Sequence, residues 1–354
     1  MAATSLFAAQ DKPPLRVAIA GLVHGHAGGF LTGALKRTDI QIVGIAEPDR
    51  TIFDRYAAQF HLDAALYHAD LEELLRATKP QAVLVYTSTF DHRRVVELCA
   101  RFSTPVMMEK PLAVSYEDAQ AIARAARAAK IQVLVNYETS WYPSNHAAYE
   151  ILHRGEIGDA RKVVVHDGHE GPKEINVEPE FFKWLTDPKL DGGGALFDFG
   201  CYGADLMTWL MHGQRPLTVT AVTQQIKADI YPHVDDEATI ILTYPKAQAI
   251  LQASWNWPYS RKDMEIYGRT GSVVTIANKD ISVRLPHESQ ATTRAAAPVP
   301  APYNDSLTYL RAVLLDGAQV DALSSLETNL IVTEILDAAR RSAATGRTIE
   351  LPKQ

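Results

Sequence analysis

The chain reads as an α/β protein in two parts, an N-terminal doubly wound parallel sheet followed by an α+β part with a large, mostly antiparallel open sheet. Three observations carry that reading. Short apolar runs alternate with helical stretches over residues 15–136, a glycine-rich turn follows the first run, and strand-like runs succeed one another in much of residues 137–354. A length of 354 residues also exceeds what one hydrophobic core ordinarily serves.

Composition removes several classes of function. The 47% hydrophobic and 22% charged fractions are those of an ordinary globular protein. A formal charge of −7, with no Lys/Arg cluster, argues against a nucleic-acid surface, and no apolar run reaches transmembrane length. Cys99 and Cys201 lie far apart without metal-type spacing. Residues 1–14 read as a leader outside the fold. Residues 3–10 resemble the end of an export signal but lack its basic start, so the expected location is cytoplasmic, or periplasmic if they are the remnant of such a signal.

The elements follow in order. Leu15–Ala20 is a buried strand, residues 21–29 a turn rich in glycine and histidine, and residues 30–36 a helix. Ile40–Ala46 is the second strand, with helices expected at 52–59 and 70–77 and a third strand at 82–86. His92–Arg101 is helical, residues 105–108 form a strand, Tyr116–Ala129 is helical, and residues 132–136 form a further strand. Strands and helices at this spacing build βαβ units with right-handed crossovers. In the second part, strand-like runs fall at 163–166, 217–223, 238–243, 249–255, 264–267 and 272–276. Helices are expected at 145–154, 203–212, 303–315 and 325–343, the last packing back on the first part, and the Ala/Thr/Pro-rich stretch 291–302 reads as a surface loop.

Candidate chemistry begins at Lys110. Val106, Met107 and Met108 run into Glu109 and Lys110, and Pro111 closes the run, which places the lysine at the carboxyl end of a buried strand. Ligands of open α/β sheets bind at that edge. A dinucleotide turn has the form G-x-G-x-x-G, and here Gly21 occupies the first position, Val23 the second and His26 the third. Glu47, at the end of the second strand, is placed to accept hydrogen bonds from an adenosine ribose, which favours NAD; Arg50 leaves room for the 2′-phosphate of NADP. His24 and His26 are spaced to share an ion, but zinc takes three or four protein ligands and no further ligand lies near in sequence, so no metal is expected.

Several ordered motifs resemble the glucose–fructose oxidoreductase / inositol dehydrogenase family, usually called Gfo/Idh/MocA. They are the glycine turn, Glu47, Thr87-Ser88-Thr89-Phe90-Asp91-His92, and above all Glu109-Lys110-Pro111. Asn136-Tyr137, Trp141-Tyr142-Pro143 and Arg154-Gly155-Glu156-Ile157-Gly158 resemble the family's passage into its second domain. Gly192-Gly193-Gly194-Ala195-Leu196-Phe197-Asp198-Phe199-Gly200-Cys201-Tyr202 resembles its substrate-side signature, and Glu265-Ile266-Tyr267-Gly268-Arg269-Thr270-Gly271 its late strand and turn. The family's usual Thr-Pro-Asn reads Thr87-Ser88-Thr89, and its frequent arginine before the aromatic-x-Pro piece is Ser140. The resemblance implies an NAD(P) site on the first part, made by Gly21, Val23, His24, Gly25 and His26 with Glu47 and Arg50. Thr87, Ser88, His92, Glu109 and Lys110 complete it. It also implies a homodimer or homotetramer joined through the second sheet.

The catalytic candidates are Lys110, Asp198 and Tyr202. If residues 197–210 are one helix, Asp198, Tyr202 and Asp205 share a face. A nearby lysine cation is expected to lower the Tyr202 pKa and make the two a proton-handling pair, with Asp198 positioning a hydroxyl. His169, in the run from His166 to Lys173, and Trp184 are candidate substrate contacts. The expected function is hydride transfer between nicotinamide and a secondary alcohol of a sugar, polyol or glycoside. Two alternatives stand beside it: glycoside cleavage through transient oxidation and elimination, and a non-catalytic sugar or nucleotide sensor.

Overall fold

The computed structural model describes residues 13–352, so the leader, apart from its last two positions, and the export-signal segment 3–10 lie outside the described residues. Six parallel strands form the first sheet: β1 (Leu15–Ala20), β2 (Ile40–Ala46), β3 (Tyr67–His68), β4 (Ala82–Val85), β5 (Val106–Glu109) and β6 (Val133–Asn136). Their order is β3-β2-β1-β4-β5-β6. The order reverses between β1 and β4, and the crevice at their carboxyl ends is where such sheets bind ligands.

Five helices connect these strands: α1 (His26–Ala34), α2 (Arg50–Phe60), α3 (Leu71–Thr78), α4 (His92–Arg101) and α5 (Tyr116–Ala129). Their starts follow from local chemistry. Asp70 caps α3 by accepting from the Glu73 N–H at 3.0 Å, and Ser115 caps α5 by accepting from the Asp118 N–H at 3.1 Å. By contrast Gly25, at the start of α1, has no side chain to cap it, and the first N–H of the helix, that of His26, is accepted by His24 Nδ1 at 3.1 Å instead.

The strands' alternation sorts the core into two faces. Ala18, Val83, Val106, Met108 and Val135 pack with α3, α4, α5 and the second half of the chain. Leu15, Val17, Ile19, Leu84, Met107 and Leu134 pack on the other side with α1, α2 and, from far along the chain, Leu307, Tyr309 and Leu310.

The second half opens with α6 (Pro143–His153), β7 (Ala160–Gly168), α7 (Pro179–Leu185), α8 (Ala195–Asp198) and α9 (Gly200–Leu210). Strands β8 (Thr218–Gln224), β9 (Glu237–Thr243), β10 (Gln248–Ser254), β11 (Arg261–Gly268), β12 (Ser272–Ile276), β13 (Asp280–Arg284) and β14 (Thr292–Ala295) follow. Then come α10 (Ser306–Arg311), α11 (Leu326–Thr345) and β15 (Ile349–Glu350). The nine strands run β14-β13-β12-β11-β7-β10-β9-β8-β15, antiparallel except for the parallel pair β7 and β10. Helices α9 and α11 cover one face, while Val222, Tyr267 and Ile276 are exposed from the sheet.

Two local expectations need correction, and one short helix was not foreseen. Residues 197–210 are not one helix: α8 stops at Asp198 and α9 starts at Gly200, with Phe199 at the junction. The surface loop 291–302 contains β14, whose backbone pairs with β13 even though its side chains are exposed. Lys183 and Trp184 lie on α7, a helix of 7 residues too short to show a period in the sequence.

The borrowed core residues give a test. Leu310 is fully buried against the first sheet, so Leu310→Ala should cost about 2–5 kcal/mol. Urea denaturation should register this as a lower midpoint, whereas Leu217→Ala, at a 40% exposed position, should shift stability by less than about 0.5 kcal/mol.

Candidate active site

β5 delivers two neighbouring charges to opposite sides. Lys110, 6% exposed, turns towards the second half, where its Nζ donates to Asp198 Oδ1 at 2.5 Å and to the Asp198 carbonyl at 2.9 Å. Trp255 Nε1 holds the other carboxylate oxygen at 2.9 Å. Burial pulls the lysine pKa down, but the Asp198 charge outweighs it and holds the ammonium above its ordinary range. Burial likewise pushes Asp198 up, and Lys110 and His169 bring it below the usual carboxylate value. The pair is therefore ionised at neutral pH.

Tyr202 does not fit the role expected for it. The Lys110 ammonium sits over the phenol ring, 5.1 Å from its centroid, and Lys262 lies at 5.0 Å from the same ring. Burial pushes the Tyr202 pKa well up rather than down. The ring face is what meets the cation, and burial is the largest cause of the rise. Tyr202 thus forms an aromatic wall with Phe199, whose ring is 5.6 Å from Lys110 Nζ. Asp205 is buried elsewhere on α9, and both of its carboxyl oxygens lack partners among the described residues.

Around this pair stand His169, Asp167 and Asp191. His169 Nδ1 accepts from the Gly171 N–H at 2.9 Å, and burial lowers its pKa; the neutral ring then carries its proton on Nε2. Burial drives Asp167 and Asp191 well above the carboxylate range, and each has one oxygen without a partner. Lys262 reaches across to Glu138, which also accepts from the Tyr142 hydroxyl at 2.5 Å. Glu138, Tyr142 and Lys262 line a cavity of about 670 Å³. Lys262 and Glu138 escape sequence reasoning because 124 residues separate them; Asp191, immediately before the triple glycine, carried a signal in its position.

Glu109, 3% exposed, faces the other way. Its carboxylate meets His26 Nδ1 at 2.9 Å and accepts from Asn136 Nδ2 at 2.9 Å. Burial raises its pKa, but His26, His24 and Asn136 together bring it down to about 2. His24, His26 and Glu109 lie close enough to suggest a metal triad. His24 Nδ1, however, accepts the His26 backbone N–H at 3.1 Å. Neutral His24 therefore carries its proton on Nε2 and has no lone pair left to give.

The turn residues lie together at the switch point. Gly21 has φ +79, and a Cβ there would meet Thr87 at 2.7 Å, so glycine is required. Glu47 is buried and accepts from the N–H groups of Leu22 at 2.8 Å and Asp49 at 3.0 Å. Arg50 pairs with Asp54 and lies 4.5 Å from the Tyr67 ring centroid. Ser88 Oγ donates to Asp91, and His92 Nδ1 donates to the Pro111 carbonyl at 3.1 Å, which pins the segment after Lys110. A dinucleotide fits the switch point at the start of α1 and the acid that follows β2. The turn itself is covered: Phe181 packs on Gly25 and Trp184 Nε1 donates to the Val23 carbonyl at 3.0 Å.

Comparison with known proteins decides the family. Residues 15–137 match the oxidoreductase family with an NAD-binding Rossmann fold, and residues 145–274 match the GFO/IDH/MocA C-terminal domain. The chain belongs to the Gfo/Idh/MocA oxidoreductases. Within that family it is 26% identical to trans-1,2-dihydrobenzene-1,2-diol dehydrogenase of Xenopus tropicalis, over 86% of this chain and 90% of that protein. Its similarity to the Macaca fuscata fuscata enzyme of that name is 25%, over 60% of this chain and only 59% of the macaque protein's length. Among solved structures, an inositol dehydrogenase homologue complexed with NAD+ from Azotobacter vinelandii has a TM-score of 0.80 at 18% identity, covering 96% of this chain and 97% of that one. The aldose-aldose oxidoreductase from Caulobacter crescentus complexed with glycerol has a TM-score of 0.79 at 22% identity, covering 96% and 100%. This Gfo/Idh/MocA chain shares their fold.

Glu109 gives the pH test. Its folded value of about 2 lies below the ordinary 4.5, so its contribution is present above about pH 4.5 and is lost as pH falls towards 2. Glu109→Gln should flatten the pH dependence of unfolding in that window, measured by denaturant titration at successive pH values.

Proposed function

We propose that this protein is an NAD(P)-dependent oxidoreductase that moves a hydride between nicotinamide and a secondary alcohol carbon of a sugar, polyol or glycoside. The observation that carries the reading is the buried Lys110–Asp198 ion pair at the carboxyl end of β5, beside the switch point. The first sheet serves the cofactor, with Glu47 and the N-terminal turn of α1 as its anchors, and the second half serves the substrate. When bound, the cofactor accepts or returns the hydride. The names of the similar proteins, a dihydrodiol dehydrogenase, an inositol dehydrogenase homologue and an aldose oxidoreductase, support a polyhydroxylated substrate.

The chain's own residues handle the proton. Lys110 hands one of its own N–H protons to Asp198 at 2.5 Å and takes the alcohol's proton in its place, so it returns to the ammonium form that stabilises the oxygen. His169 presents an Nε2–H to a substrate oxygen. Asp167 and Asp191, protonated by burial, offer a donor and an acceptor each to further hydroxyls. The exposed face of the second sheet, with Val222, Tyr267 and Ile276, is proposed to pair with another copy of the chain.

The test has two arms. Calorimetry should show NAD or NADP binding, and a polyol and sugar panel should yield absorbance at the reduced-nicotinamide band; failure to bind either nucleotide defeats the proposal. Lys110→Met should lower kcat by about 10²–10⁴-fold. That variant strands Asp198 and should cost about 3–5 kcal/mol, so Lys110→Met/Asp198→Asn, with circular dichroism as the fold check, is the cleaner comparison.

A further inference from the structure

A ladder of rings at the far end of α9 has no part in the steps above. Trp209 stacks on Tyr149 with centroids 4.1 Å apart and 14° between the planes. The His153 ring lies 4.0 Å from Tyr149, and the His212 ring 4.1 Å from His153. His212 Nε2 meets His153 Nδ1 at 3.0 Å although 59 residues separate them, so no spacing in the sequence announces the pair. His153 is the last residue of α6, and His212 follows Met211, which caps the end of α9. Two helix C-terminal ends, each carrying partial negative charge, thus bring their imidazoles together where a cation is favoured. Both residues are exposed. Helix α9 is 11 residues long, so about 15 Å of helix parts His212 from the aromatic wall at Tyr202.

We infer that His153 and His212 form a two-histidine site for a divalent transition-metal ion, Cu2+ or Ni2+, which ties the end of α6 to the end of α9. Imidazole nitrogens bind an ion of this size, such as zinc, at about 2.0–2.1 Å. Two of them are then about 2.9 Å apart at a right angle and about 3.3 Å apart at the tetrahedral angle. The observed 3.0 Å matches the right angle, which belongs to square-planar and tetragonal Cu2+ and Ni2+ rather than to tetrahedral Zn2+. Two neutral imidazoles in contact share one N–H. With His212 as its donor, that proton moves to Nδ1 and Nε2 offers a lone pair, so no proton is lost. The new Nδ1–H meets the Tyr149 hydroxyl at 3.5 Å, the kind of outer partner that orients a ligating histidine. Burial and the neighbouring His212 lower the His153 pKa, which keeps that ring neutral at neutral pH. His24, by contrast, has committed its Nδ1 lone pair to a backbone N–H. His153 also lines a cavity of about 690 Å³ with Asp159 and Gln214. The side chains of those two have no hydrogen-bond or ion-pair partner among the described residues. Lys246 and Arg269, in the same lining, favour an anion such as chloride among the remaining ligands.

The experiment is metal titration of the full chain, freed of any affinity tag, with CuCl2, NiCl2 and ZnCl2. Calorimetry should show a saturable Cu2+ site, and the melting temperature should rise with Cu2+ and with Ni2+. The electron paramagnetic resonance spectrum of the bound Cu2+ should carry hyperfine splitting from two imidazole nitrogens. His153→Gln and His212→Asn should each weaken Cu2+ binding by more than about tenfold and abolish the rise in melting temperature. Asparagine is chosen because position 212 has φ 52, a left-handed conformation that asparagine tolerates. Both positions are exposed, so both variants should fold, which circular dichroism checks. His26→Gln, the control for the histidines of the turn, should leave Cu2+ binding unchanged. Equal binding by wild type and both variants overturns the inference. So do loss of binding in His26→Gln alone, absence of saturable binding in wild type, and tighter binding of Zn2+ than of Cu2+.

Discussion

One buried ion pair governs how the two halves of this chain meet. Lys110 belongs to the first sheet and Asp198 to the end of α8, and Trp255, which steadies the carboxylate, follows β10. Removing either charge from water costs several kcal/mol, and only the partner on the other half repays it. Such a pair adds little net stability but makes one docking geometry far better than its neighbours. A shift of the second half by a side chain's length would leave two charges buried and unpaired. The cleft therefore has its shape because these two groups must meet.

The same strand explains why the site has two sides. Successive residues of a strand point to opposite faces, and Glu109 and Lys110 obey that rule at the very edge where βαβ sheets collect their ligands. Lys110 is drawn into the second half by Asp198. Glu109 is held back on the α1 side by Asn136 and His26. A dipeptide thus sends opposite charges to two sides of one strand, with Glu109 lining the space on the α1 side.

Much of this was legible in the sequence, for reasons that also define what was not. The parallel sheet could be read because strand and helix periods alternate cleanly from Leu15 onward, and Lys110 because a proline after an apolar run marks a strand's end. The effect of Lys110 on Tyr202 was misread because the cation was expected to lower the phenol's pKa, whereas burial, which the sequence does not show, pushes it up. Glu47 could be singled out as an acid after a strand, but the sequence does not show that its oxygens already serve the N–H groups of Leu22 and Asp49. Lys262 and Glu138 leave no trace in local pattern, since their meeting depends on how two sheets dock.

The N-terminal core has one further peculiarity. Its sheet is complete by Asn136, but the apolar layer on the α1 side is finished by Leu307, Tyr309 and Leu310. During synthesis the first domain therefore emerges with its strands in hand and part of one oily face still bare. That face stays uncovered while some 170 further residues leave the ribosome, at roughly 5–20 residues per second. For about ten seconds or more the nascent chain presents a hydrophobic surface that its own distant tail will seal, which makes the early intermediate a natural client for chaperones and leaves the first half's core incomplete until the second half exists.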